Sequence, residues 1–183
     1  MVQTSAFQQA IQDLADRQRS DLEQGRCAVI QSGDRRQGYI LIDAEGERVW
    51  DVITDYESFP AFLPTVVGAR IVVDEGDRKV VEQVDERQVL FAKVTSQIQT
   101  ENVEVPPRQI KFQMTEGDLK QFEGSWQVIA ASTESAQPTL LLQTVEAEAG
   151  AGPLEMAFDQ ILKRSLKDNL EAIAQEVYRR REL

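Results

Sequence analysis

Histidine is absent from this sequence, and cysteine occurs once, at Cys27. The missing histidine excludes Ser-His-Asp and Cys-His catalysis, and with them every site that uses imidazole as a general base or metal ligand. A single cysteine allows no disulfide within the chain and no cysteine-built zinc or iron–sulfur site. The glycine patterns of phosphate- and dinucleotide-binding loops are also missing. We therefore predict no metal, no cofactor and no catalytic residue.

Positive charge is scarce, since 20 Lys and Arg stand against 31 Asp and Glu, for a net charge of −11. The electrostatic field of so negative a chain repels phosphate backbones, so no nucleic-acid partner is expected. No run approaches the ~20 apolar residues that a membrane helix needs, and no secretory signal is recognisable. We expect a cytoplasmic protein without an integral membrane segment. Its oligomeric state is open, as is transient contact of Arg179–Arg181 with a membrane or a protein.

The chain has 183 residues, of which 42% are hydrophobic, enough for one domain with a sizeable core. Apolar residues recur at helical spacing between Ser5 and Gln24, and Gly25 follows as a suitable helix C-cap. Because this stripe is thin, residues 1–25 are expected to form a peripheral helix. Residues 26–183 are expected to form the main domain.

Two short helices are predicted after a first β-hairpin. Apolar runs at Arg26–Gln31 and Tyr39–Asp43 flank a turn rich in Gly and Asp, which favours a hairpin. Asp43 is the expected N-cap of the first helix, which buries Trp50. The second helix is expected over Glu57–Leu63.

The next part of the chain predicts strands only, because turn residues separate segments that alternate between apolar and polar positions. Such alternation is typical of an antiparallel sheet with one covered and one wet face. The expected strands are Val66–Asp74, Arg78–Glu86, Val89–Glu101, Arg108–Thr115, Lys120–Ala130 and Thr139–Ala149. One amphipathic helix then opens at Gly152-Pro153. Neither sheet nor helix can bury its apolar surface alone, so we predict an α+β fold in which a curved sheet wraps around this helix.

Three segments resemble the START/polyketide cyclase-dehydrase superfamily, whose fold is the helix grip. They are DAEGERVWDVITDYESFPAFLP at residues 43–64, EGDLKQFEGSW at residues 116–126, and the terminal helix led by Pro153. The chain looks most similar to the coenzyme Q-binding and cyclase-dehydrase branch, in its cyanobacterial and plastid form. This resemblance implies a hydrophobic cavity between sheet and helix, entered near the two short helices.

The wall of this cavity is expected to come from inward-facing side chains of three regions. Tyr56, Phe59 and Phe62 would frame an entrance gated by residues 57–64. The strands and the terminal helix would supply the rest of the wall: Val94, Ile98, Phe112, Met114, Phe122, Trp126, Leu154, Phe158 and Leu162. Periodicity cannot tell such a wall from a filled core, so both interpretations stay open.

Carboxylates are the only strong acid–base groups available. Alternation puts Glu82 and Glu86 on one face of their strand together with Val80 and Val84. If this face points inward, Glu82 is a buried carboxylate with a raised pKa and a candidate base. If it points outward, these carboxylates belong to the wet face.

The favoured hypothesis is non-enzymatic binding or transport of a lipophilic small molecule, such as a prenylquinone, lipid, isoprenoid or pigment. One alternative is a polyketide aromatase/cyclase or dehydratase that uses Tyr56 and an inward carboxylate as acid and base. Another is a protein-interaction module with a filled cavity. Likeness of fold cannot choose among these functions, because the superfamily places carriers and enzymes on one frame.

Overall fold

The computed structural model describes residues 5–89, 91–131, 138–149 and 157–182. Its helices are α1 (Ala6–Ala10), α2 (Asp16–Glu23), α3 (Gly46–Ile53), α4 (Phe59–Phe62) and α5 (Phe158–Arg181), with a 3₁₀ turn (Tyr56–Ser58) before α4. Its strands are β1 (Ala28–Ser32), β2 (Arg35–Ile42), β3 (Val66–Asp74), β4 (Arg78–Val89), β5 (Ala92–Val105), β6 (Gln109–Gly117), β7 (Gln121–Ala130) and β8 (Thr139–Glu148). The predicted start of the last helix, at Gly152-Pro153, lies outside the described residues.

The eight strands form one antiparallel sheet in the order β1-β2-β8-β7-β6-β5-β4-β3. The sheet curves around α5, which buries an apolar stripe that includes Leu166, Leu170, Ile173 and Val177. Together these elements confirm the predicted α+β helix-grip fold. Among the described residues, no helix is both long and apolar enough to cross a membrane.

Helix α5 lies so close to β2 at Gly38 that a side chain there has no room. A Cβ on Gly38 would stand 2.6 Å from Leu170 Cδ1 and 2.8 Å from Leu166 Cγ. Glycine therefore allows the helix to rest directly on the strand. Gly38 pairs with Gln143 of β8, so this contact also sets which turn of α5 lies level with Gln143.

The N-terminal segment forms two helices, so the prediction of one helix over Ser5–Gln24 was wrong. Between α1 and α2 the chain turns, and the Arg19 guanidinium donates to the carbonyls of Leu14 (2.9 Å) and Gln12 (3.0 Å). These bonds satisfy carbonyls that a helix break leaves without partners. Neither glycine nor proline marks the turn, and so local sequence signals do not locate it.

Helices α1 and α2 cover the outer face of the sheet, opposite α5. Their apolar side chains pack on β1, β2 and β8 in a second core cluster that comprises Ile11, Leu14, Leu22, Ala28, Tyr39, Leu140 and Leu142. Because α5 covers the other face, β2 and β8 are buried on both sides. This double cover explains the almost continuous apolar run Tyr39–Ile42 and its counterpart in β8.

Two details predicted for the short helices, an N-cap and the extent of the second helix, differ in the structure. Glu45 is the N-cap of α3 in place of Asp43, whose backbone N–H instead donates to the Tyr178 hydroxyl at 3.2 Å. That bond ties the end of β2 to α5. The second predicted helix, over Glu57–Leu63, is split into the 3₁₀ turn and α4.

The C-terminal arginines form an ion-pair network around one buried carboxylate. Arg179 and Arg180 each donate to Glu176 at 2.7 Å, and Arg180 also donates to Asp55 at 2.8 Å. The Arg180 guanidinium lies 6.0 Å from the centre of the Phe62 ring. Asp55 therefore braces α5 against the segment before α4.

Replacing Glu176 with glutamine is expected to remove an acid-sensitive part of the stability. The hydrogen bond from Arg179, reinforced by Arg180, lowers the pKa of Glu176 from 4.5 to about 2. A depressed folded pKa contributes stability above the unfolded pKa, and this contribution is lost as pH falls through the folded pKa. We expect Glu176→Gln to cost about 2 kcal/mol at neutral pH, measured by urea unfolding. The difference from the parent protein should shrink steadily as the pH falls from 4.5 toward 2. A difference that stays constant over this window would contradict the assignment.

Candidate functional site

A cavity lies between the inner face of the sheet and the first half of α5. Its wall combines side chains from β4, β5, β7, β8 and α5 with Leu119: Gln83, Asp85, Arg87, Val94, Ser96, Ile98, Leu119, Phe122, Gln143, Val145, Phe158, Ile161, Leu162, Ser165, Leu166 and Asn169. The volume of the cavity is about 120 Å³ when only positions available to the centre of a water molecule are counted. It is about 860 Å³ when all space not filled by protein atoms is counted, including the open side. The wall is apolar along most of its length and polar in a few places, as is usual for small-molecule sites.

The residues predicted to line the cavity divide into two groups. Those that do line it are Val94, Ile98, Phe122, Phe158 and Leu162. Those that the structure places elsewhere are Tyr56, Phe59, Phe62, Phe112, Met114 and Trp126. Leu154 lies outside the described residues. Contact with a ligand stays a prediction for the first group.

The second group packs beside the cavity because most of its side chains are needed in the core. Phe112 is buried and stacks on Phe122, with ring centres 5.2 Å apart. Phe59 contacts both Tyr56 and Phe62 edge to face, at 5.6 Å and 5.8 Å. These aromatic residues anchor the 3₁₀ turn and α4 on the core. In this structure these side chains contact the core beside the cavity, and a role for them in ligand binding stays a prediction.

Tyr56 belongs to a buried polar network at the other end of β5. Its hydroxyl donates to Glu104 Oε1 at 2.8 Å, and Lys79 donates to Glu104 Oε2 at 3.1 Å. Burial, together with the Glu104 carboxylate, raises the pKa of the Tyr56 hydroxyl far above its ordinary value. Tyr56 thus pairs with an inward carboxylate, but the pair does not line the cavity.

Glu82 faces outward, so of the two alternatives the wet face applies, and Glu82 is not a buried base. It accepts a hydrogen bond from Arg70 at 2.7 Å on the outer face, and this bond lowers the pKa of the Glu82 carboxyl. The inner face of β4 carries Val81, Gln83, Asp85 and Arg87 instead. Val80 and Val84 share the face of Glu82 by strand alternation, and Val80 is nevertheless buried there, at 8% exposure.

The inward side chains of β4 form a second polar network, at the cavity wall. Arg87 donates to Ser165 Oγ at 2.7 Å and lies 3.4 Å from Asp85 Oδ1. Asp85 also accepts hydrogen bonds from Thr65 (2.8 Å) and Gln83 (2.7 Å). Arg87 therefore links β4 to α5 across the cavity. The alternation along β4 groups these residues on one face, which is the only sequence signal that could have identified them.

Two amide side chains in the cavity wall retain unused hydrogen-bonding capacity. Gln143 Oε1 and Asn169 Oδ1 are buried and have no partner among the described residues. Gln143 is only 7% exposed. No sequence signal marks Gln143, because a lone polar residue in an apolar strand resembles many others.

Cys27 lies outside this cavity wall and offers no reactive group. Burial raises the pKa of the Cys27 thiol to about 12, so this side chain remains a neutral thiol. Within the described parts of the chain, no group of three or more acidic or cysteine residues is arranged to hold a metal ion.

A curved antiparallel sheet gripping one long helix, with a cavity between them, defines a helix-grip protein. The chain belongs to the family described as polyketide cyclase/dehydrase and lipid transport, which matches residues 42–174. The match spans the elements that form the cavity, from the end of β2 through most of α5.

Known proteins resemble the chain in amino-acid sequence and in three-dimensional structure. The ribosome association toxin RatA of Escherichia coli K12 is 25% identical over 141 residues, which are 75% of this chain and 85% of RatA. The ZhuI aromatase/cyclase of Streptomyces sp. R1128 has a TM-score of 0.68 at 16% identity, over 85% of this chain and 96% of ZhuI. A STAR-related lipid transfer protein of Xanthomonas axonopodis has a TM-score of 0.63 at 12% identity, over 83% and 92%. At these identities the structural likeness establishes the fold alone.

Proposed function

We propose that this chain binds a lipophilic small molecule in the cavity between the sheet and α5, and carries it without chemical change. The observation that supports this proposal most directly is the mixed wall of the cavity. Val94, Ile98, Phe122 and Phe158 offer apolar surface, while Arg87 and its neighbours offer a polar end. Membership of a family described by lipid transport points the same way.

The apolar part of the wall would supply most of the binding free energy. Burying apolar surface contributes roughly 25 cal/mol per Å². A few polar groups would then orient the ligand rather than hold it, as in most small-molecule sites. Such a division suits a molecule with an extended apolar body and one polar end.

Transport of an unchanged ligand is favoured over acid–base catalysis, because the polar side chains that could act as acid or base are either engaged by other residues or lie outside the cavity. The Asp85 carboxylate already accepts hydrogen bonds from Thr65 and Gln83 and lies beside Arg87. Tyr56 holds its proton firmly and stands outside the cavity wall. The structure thus offers no acid–base pair that faces a bound molecule, because Tyr56 lies outside the wall and Asp85 is engaged by its neighbours.

Ribosome association, the property in the name of RatA, is less well supported for this chain. Ribosomal RNA presents a dense phosphate surface, and this chain carries a net charge of −11. Of its C-terminal arginines, Arg179 and Arg180 are engaged by Glu176 and Asp55. We therefore place the function in the cavity.

The proposal predicts that Phe158→Asp weakens binding of a neutral apolar fluorophore, N-phenyl-1-naphthylamine. A charge in the apolar wall would have to lose its hydration when the ligand enters, so we expect Kd to rise at least about tenfold. The measurement is a fluorescence titration, with circular dichroism to confirm that the variant is folded.

Val103→Asp is the matched control, because Val103 is 43% exposed on the outer face of β5. Its Kd should stay within about twofold of the parent value. Equal binding by the Phe158 variant and the control would refute the cavity as the binding site. Absence of binding in the parent protein, with no lipophilic compound in an organic extract of protein from its native host, would refute carriage itself.

A further inference from the structure

The amide oxygens of Gln143 and Asn169 lack hydrogen-bond partners, and this limits the kind of ligand that would fit beside them. Buried polar atoms nearly always have a hydrogen-bond partner, because leaving one unpaired costs free energy. Gln143 Oε1 and Asn169 Oδ1 are exceptions within the described part of the chain, and both residues line the cavity. This pair therefore marks a place where a partner is expected.

The two amides come from opposite walls at the same level of the cavity. Gln143 lies on the inner face of β8, paired with Gly38 of β2 on one side and with Trp126 of β7 on the other. Helix α5 rests on Gly38 through Leu166 and Leu170. Asn169 is in the helical turn between these two leucines, so the helix brings it to the level of Gln143.

Four other polar side chains of the wall, those of Gln83, Asp85, Arg87 and Ser165, are already engaged. Arg87 binds Ser165, Ser165 also donates to the Ile161 carbonyl, and Asp85 is held by Gln83 and Thr65. The surroundings of the two amides are otherwise apolar, with Phe122, Val145 and Leu166 in the same wall. Within the described part of this wall, the buried polar atoms without a partner are thus the amide oxygens of Gln143 and Asn169.

Resting on the proposed function, we propose that the ligand carries a hydroxyl group, bound between the amides of Gln143 and Asn169. An alcohol, phenol or enol donates one hydrogen bond and accepts others, so it can donate to a carboxamide oxygen and accept from a carboxamide NH₂. The fit is complete when one amide presents its oxygen and the other its NH₂, and the two ends of an amide are interchangeable by rotation. A ketone, quinone, ester or ether only accepts, and leaves a buried carboxamide oxygen unpaired. The site therefore selects a quinol over the matching quinone, and an alcohol over its ether.

The test compares 1-naphthol with 1-methoxynaphthalene, which share one apolar body and differ in the hydroxyl donor. Isothermal titration calorimetry should give a Kd for 1-naphthol at least about tenfold lower, since a site built to bind a hydroxyl discriminates strongly against its absence. Gln143→Leu and Asn169→Leu should each reduce this ratio to within about threefold. They should do so by weakening 1-naphthol binding, with the ether bound as well as before.

Gln113→Leu is the control, because Gln113 lies exposed on the outer face of β6 and should keep the full ratio. Equal affinity of the parent protein for alcohol and ether would overturn the hydroxyl site and leave the proposed function intact. A ratio that survives in both cavity variants would also overturn it, because the hydroxyl would then be recognised elsewhere. If neither compound binds the parent protein, the proposed function fails together with this inference.

Discussion

Gly124→Ala is expected to lower the free energy of unfolding by about 3 kcal/mol or more, the upper range for overpacking a well-filled site. A Cβ on Gly124 would stand 1.9 Å from the carbonyl oxygen of Thr144 and 2.8 Å from Phe112 Cζ. The carbonyl belongs to β8, which pairs with β7 at this point, so it cannot withdraw without disturbing the sheet. Urea unfolding followed by circular dichroism measures the loss.

Gly68→Ala provides the matched control in another strand of the sheet. The nearest atom to a Cβ on Gly68 would be Val84 Cβ at 3.8 Å, an ordinary contact. We expect this variant to lie within about 1 kcal/mol of the parent protein, because alanine is at least as well suited to a strand as glycine. Similar losses in the two variants would show that steric conflict at Gly124 is not the cause.

Lys79→Met is expected to destabilise the protein by about 3 kcal/mol, because it leaves a buried carboxylate without its cation. The side chain of Glu104 is 6% exposed and that of Lys79 is 17% exposed, so water screens their interaction poorly. Tyr56 supplies the other hydrogen bond to Glu104, at 2.8 Å. Thermal and urea unfolding of the variant measure the effect.

The double variant Lys79→Met/Glu104→Gln separates the charge from the packing. The neutral amide still accepts the hydrogen bond from Tyr56 and needs no cation, so most of the lost stability should return. If the double variant is no more stable than Lys79→Met, the loss comes from packing of the lysine stem. The interpretation of the stability loss as the cost of an unpaired charge on Glu104 would then be wrong.

The order of elements could be predicted because it depends on local signals. Strand β3 has the predicted bounds, Val66–Asp74, since turn residues limit it at both ends. The antiparallel sheet and its long helix follow from the need of each to cover the other. The elements that differ are those whose limits depend on distant partners. The turn between α1 and α2, for example, is held by the side chain of Arg19.

The polar part of the cavity could not be predicted for a different reason. Alternation tells which side chains of β4 share a face, but only the position of the sheet in the fold decides which face is inward. Val80 and Val84 favour the wrong choice for β4, because they lie on the outer face and leave Asp85 and Arg87 inside. The apolar neighbours of Gln143 in the sequence give no signal of a polar site. Its proposed role in binding depends on the turn of α5 that lies opposite.

The cover that α1 and α2 place on the outer face divides the sheet into two unequal halves. Strands β2 and β8 are enclosed between two layers of helix, while the outer face of β3, β4 and β5 is open to water. Opening reactions cost least free energy where the fewest apolar contacts must separate. On the proposed function, we therefore expect a ligand to enter or leave the cavity most easily by distortion of β4 and β5, which carry Arg87 and Val94. The half that contains Gln143 is expected to keep its shape while such a ligand binds, because both of its faces are covered.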